Sequence, residues 1–222
     1  MTAAVAPALA PEGSKALDRG RPGRASRRPL ALLAGLGVAV GLRYWASASG
    51  VADGVSVGLV FGAGLLAIAW LDDRSALRRG AFLRGPLLRG LVLGILGGAA
   101  LIGLAILARL VGGIGQVPSL AELGRGVAFP GWALATLVVA GGEEALLRGA
   151  LFRRVAELGG PWWAIGATSL AFALMHVPFY GWHVIPLDLG VGVWLAGLRL
   201  ESRGILAPWL AHAIADLATW WL

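Results

Sequence analysis

The chain has 222 residues, 58% of them hydrophobic and only 14% charged, with a mean hydropathy of +0.77 and a formal net charge of +7. A soluble domain carries about a quarter charged residues, so this composition excludes an ordinary soluble protein and predicts one built for a lipid bilayer. The absence of cysteine excludes disulfides and thiol catalysis. The basic excess sits between apolar runs, where membrane proteins collect arginine, which argues against a nucleic-acid partner.

Residues 1–28 are rich in Ala, Pro, Gly and Arg without apolar periodicity, and are expected to form a disordered basic tail. Residues 29–222 are expected to form a single transmembrane domain. Arg19, Arg21, Arg24, Arg27 and Arg28 should hold the tail in the cytoplasm. The apolar segments then run at about 30–49, 55–71, 87–110, 129–155, 161–177, 185–198 and 205–222. None alternates as a strand would, so the predicted fold is all-α, a polytopic transmembrane bundle of about seven helices. Fifteen of the nineteen Lys and Arg fall in alternate loops or at the segment ends that border them, which predicts a cytoplasmic N-terminus and an outer C-terminus. Lys15 is the only lysine, a bias expected of a GC-rich bacterial genome and hence of a bacterial inner membrane. Trp162, Trp163, Trp182, Trp220 and Trp221 stand at predicted segment ends, as interfacial aromatics do. Segment 112–128 reads as a lid or surface helix.

Ionisable groups inside apolar segments are costly, so each is a functional candidate whose partner should be sought. The fourth segment carries Glu143, Glu144 and Arg148. Residues four apart share a helix face, so Glu144 and Arg148 should pair, while Glu143, about 100° round, should face something else. The fifth segment holds Phe172 and His176 at the same spacing, and the seventh holds His212 and Asp216. Asp216 could orient the His212 imidazole, or both could donate hydrogen bonds to an oxyanion. Outside these three elements, Asp188 reads as an interfacial carboxylate and His183 as a solvent-exposed loop residue. Gly190, Gly192 and Gly197 read as positions of close helix packing.

The order Glu-Glu-x-x-x-Arg (143–148), Phe-x-x-x-His (172–176), His-x-x-x-Asp (212–216) on three helices resembles the CPBP family of intramembrane proteases. That family includes the CAAX prenyl proteases and bacteriocin-immunity-type proteins. The likeness extends through Gly197–Leu206, covers about residues 130–216 and leaves residues 1–125 aside; the motif-bearing core is 129–222. It implies an endopeptidase acting in or near the membrane, on a membrane protein or lipid-anchored peptide. Glu143 with His176 would activate water, His212 and Asp216 would steady the oxyanion, and Glu144 with Arg148 would hold the geometry, with Phe172 supporting. Asp216 stands where many members have Asn, which donates a hydrogen bond without needing protonation. No cofactor is expected to be obligatory in this glutamic-type reading; zinc on Glu143, His176 and His212 is the alternative. A non-enzymatic immunity or scaffold protein and a transporter or proton-relay subunit are the competing functions.

Overall fold

The computed structural model describes residues 27–74, 85–111 and 128–222. Most of the expected tail, residues 75–84 and segment 112–127 lie outside the described residues. The described part is helical: α1 (Arg27–Ser49), α2 (Gly54–Asp72), α3 (Leu87–Val111), α4 (Phe129–Glu144), a π-helical segment (Ala145–Leu151), α5 (Phe152–Gly159), α6 (Pro161–Tyr180), α7 (Ile185–Ser202) and α8 (Leu206–Ala218). Among the described residues, five helices are long and apolar enough to cross a membrane: α1, α2, most of α3, α6, and α7 with the short 3₁₀ turn before it. The protein is an integral membrane protein. α8 spans only about 20 Å at 1.5 Å per residue, less than a hydrocarbon core of about 30 Å.

The chain itself explains most helix ends. Asp53 caps α2, accepting from Ser56 N at 2.9 Å and Ser56 Oγ at 2.7 Å. Those two bonds hold the Asp53 carboxyl below its ordinary range. Pro130 and Pro161 fall in the first turns of α4 and α6, where a missing N–H costs nothing. The fifth predicted segment stops at 177 because Pro178 follows, yet α6 runs on to Tyr180 with Pro178 in its last turn. The helix ends at Gly181, whose φ of +87° only glycine adopts freely.

The π-helical segment lies at the centre, touching α1, α2, α5, α6 and α7. Around it α2 packs on α4, α6 on α7, and α8 on α3. Glycines permit the closest of these approaches. A Cβ on Gly142 would stand 2.4 Å from Gly62 O, and one on Gly62 would stand 2.6 Å from Val138 O. Of the three α7 glycines read as packing positions, only Gly192 is one, pressed on Ser169; Gly190 and Gly197 have open space around them. Many large apolar side chains, among them Val38, Leu42, Val60, Leu88 and Leu96, are exposed on the outside of the bundle. Water would not tolerate so much apolar surface on a monomer, whereas lipid does.

The bundle has two dissimilar ends. At one, here the lower, Asp72 of α2 binds Arg153 (2.7 Å) and Arg154 (3.0 Å) beside α5, and Arg89 of α3 binds Glu201 of α7. At the upper end Phe129, Trp132, Trp220 and Trp221 stack in a cluster, Trp132 and Trp220 with centroids 4.8 Å apart. Trp162, Trp163 and Trp182 are exposed at helix starts.

Candidate active site

The site grows from the junction of α4 with the π-helical segment. Glu143 and Glu144 are the last residues of α4, and Arg148 lies inside the widened turns that follow. Such π turns commonly mark functional sites, and no residue pattern in the fourth apolar segment announced one. Arg148 Nη1 donates to Glu144 Oε1 at 2.9 Å, and Nη2 donates to Gly192 O at 3.2 Å. Its guanidinium covers the Phe172 ring, 4.7 Å from Cζ to centroid. Both side chains of the pair are 0% exposed. Arg199 Nε donates to the backbone carbonyl of Arg148 at 3.0 Å and so ties α7 to the π turn.

His212 joins this pair. Its Nδ1 stands 3.0 Å from Glu144 Oε1, so that oxygen serves Arg148 and His212 together. Its Nε2 faces Asp216 at 3.4 Å and Glu143 at 3.8 Å. Glu143 therefore does not turn away from its neighbour's partner. Two consecutive side chains, splayed by about 100°, straddle opposite edges of one imidazole. His212–Asp216, Phe172–His176 and Glu144–Arg148 all share faces at the expected four-residue spacing.

His176 is held apart from the others by Phe172. The Phe172 ring meets His176 edge-on at 4.8 Å and His212 at 5.5 Å between centroids. His176 Nδ1 lies 3.0 Å from Phe172 O and 3.2 Å from Asp188 Oδ2. Both neighbours are acceptors, so Nδ1 carries the proton and Nε2 is left for the cavity. Asp188 is thus not merely an interfacial carboxylate but the partner of His176. The signal lay in the hairpin: His176 and Asp188 each lie about one helical turn from the Gly181–Val184 connection of α6 and α7, which folds them side by side. His183 is exposed, as read from the loop.

These contacts define two levels. Arg148, Gly192, Phe172, Glu144 and His212 make the lower one. One turn higher, toward the 181–184 connection, stand His176 above Phe172, Asp188 above Gly192 and Asp216 above His212. Side-chain exposure follows the levels: 0% for Glu144 and Arg148, 2% for Glu143 and 7% for His212, then 17% for His176, 18% for Asp188 and 29% for Asp216. The site is closed at its lower level and more exposed one turn higher, and that exposed side is called its mouth.

Among the described residues no three His, Cys, Asp or Glu side chains are grouped to hold one metal ion. His176 and His212 each hold Nδ1 against a carboxylate, Asp188 and Glu144, and leave Nε2 toward the site. No step below is routed through a metal.

Helical bundle and polar site together define a polytopic membrane protein whose ionisable residues meet between its helices. Residues 125–218 match the family described as type II CAAX prenyl endopeptidase Rce1-like, in keeping with the CPBP resemblance. The match supports an intramembrane protease at the level of that family. No curated protein and no solved structure matches the chain.

Proposed function

We propose that the protein is a glutamic-type intramembrane endopeptidase, with Glu143, His176, His212 and Asp216 as its catalytic residues. The observation that carries this reading is the pair of carboxylates straddling His212, with Glu143 at the floor of a pocket closed below and open above. Glu143 takes a proton from water as the water oxygen attacks the scissile carbonyl carbon. His176, its Nδ1 fixed by Asp188 and Phe172 O, turns Nε2 to the same water and shares in its activation. His212, whose Nε2 faces Glu143 and Asp216, donates from Nε2 to the developing oxyanion; Asp216 adds a second donor when protonated. The C–N bond then breaks and the proton held by Glu143 passes to the leaving amine. Glu144 and Arg148 hold His212 and the π turn in register and Phe172 sets the distance between the histidines.

The substrate is a membrane protein or lipid-anchored peptide, and trimming of a C-terminal sorting or anchor segment suits the pocket's depth. The chain sits in a bacterial inner membrane with its N-terminus in the cytoplasm. In vesicles holding the purified protein and a lipidated, fluorogenic peptide with an apolar C-terminal tail, Glu143→Gln should abolish cleavage while the protein stays folded and inserted. His176→Ala and His212→Ala should each cost about 10²-fold or more, the usual value of a positioned acid or base. Full activity of Glu143→Gln would sink the mechanism.

A further inference from the structure

Arg43 lies in the upper half of α1, outside the matched domain, and is not placed as a snorkelling residue would be. Its guanidinium is clamped between the rings of Phe61 and Phe179, with Cζ 4.6 Å from each centroid. Phe179 adjoins Tyr180, whose ring stands 6.0 Å from that of His176. Through these rings Arg43 stands beside the mouth of the pocket, on the His176 side. Two rings hold the cation by their faces and accept no conventional hydrogen bond, which leaves its five N–H donors for an acceptor. The protein supplies none among the described residues, because the carboxylates of the mouth face histidines: Asp188 faces His176, and Glu143 and Asp216 face His212.

A planar cation held by its faces, half-buried and short of an acceptor, matches a carboxylate better than any other common peptide group. We propose that Arg43 is a specificity-determining residue that binds a carboxylate of the substrate just outside the pocket. This rests on the peptidase reading and narrows it, since the preferred peptides would carry an acidic group close to the scissile bond. A free C-terminus and an acidic side chain offer the same chemistry.

The test is binding, which needs no turnover. The full chain in detergent micelles is titrated with trileucine bearing a free carboxylate, with trileucine amide and with Leu-Leu-Asp amide, followed by calorimetry. The wild type should bind at least one acid about tenfold or more tighter than trileucine amide, the worth of a charge-assisted hydrogen bond. Arg43→Gln should reduce that acid to the level of the amide, and Arg43→Lys should keep part of the difference. Tighter binding of trileucine acid points to a C-terminus, and tighter binding of Leu-Leu-Asp amide points to a side chain. Equal binding of acids and amide, no binding at all, or a preference that survives in Arg43→Gln would overturn the proposal. If Arg43→Gln does not fold, the wild-type comparison decides. Acid-selective binding by a protein that cleaves nothing would retire the peptidase reading and leave the anion site standing. Equal binding by an active peptidase would retire the anion site alone.

Discussion

Arg148 and Glu144 form a fully buried pair in a site where neither can be hydrated. Removing one partner leaves the other charge uncompensated, at a cost of about 3–5 kcal/mol. Arg148→Ala should therefore lower stability by that order in chemical denaturation. Glu144→Gln with Arg148→Ala should recover part of it, although not all, because Glu144 also holds His212 Nδ1. A double variant as unstable as the two single changes summed would mean that the pair is uncoupled. Asp188 tests the upper level. As the residue that fixes the His176 tautomer, its change to Asn should lower kcat about tenfold or more while leaving KM near its original value. Asp188→Glu should restore part of the rate. A kcat unmoved by Asp188→Asn would show that the 3.2 Å contact does nothing for His176. The three i,i+4 pairs were legible in the sequence because helical periodicity places them without knowledge of the fold. The contacts of Glu144 with His212, Asp188 with His176 and Arg43 with Phe61 and Phe179 join different helices, and no spacing rule reaches across helices.

At the scale of elements, the seven apolar segments were legible, most starts within a residue and several ends three or four residues off, since uninterrupted apolar runs with breakers between them leave few choices. What the pattern hid was the π-helical segment, because Ala145–Leu151 has the composition of any apolar helix. Packing rather than propensity sets it: Gly142 and Gly62 bring α4 and α2 to backbone contact just before the widened turn. Gly142→Ala would put a methyl 2.4 Å from Gly62 O, so α2 must move away and Glu143, the next residue, moves with α4. Proteolysis rate at that site should fall about 10²-fold, as a displacement of about 1 Å costs an oriented reaction, with a lowered unfolding temperature. Gly190→Ala, which meets nothing, should be close to neutral in both measurements. Equal rates for the two variants would contradict the role given to that contact.

At the scale of the whole molecule, the sequence predicted the polarity of the bundle from its arginines, and the ion pairs of Asp72, Arg153, Arg154, Arg89 and Glu201 gather at one end. If that end is cytoplasmic, as positive-inside bias requires, the pocket opens to the opposite face. The chain has no cysteine, so a single introduced one reports cleanly. His183→Cys, exposed at the upper end, should react with a membrane-impermeant thiol reagent in intact cells, and Glu157→Cys, exposed at the lower end, should react only after lysis. The reverse labelling would invert the protein in its membrane and put the pocket mouth on the cytoplasmic side.

The central claim is that Glu143 delivers water to a peptide bond inside this pocket. It is tested most directly by mass spectrometry of the cleavage product formed in ¹⁸O-water by exhaustively chelated wild type and by Glu143→Gln, both in vesicles. The account predicts one ¹⁸O in the new carboxyl group of the wild-type product and no product from Glu143→Gln. A labelled product from Glu143→Gln at the wild-type rate, or wild-type cleavage that stops on chelation and returns with zinc, would contradict it.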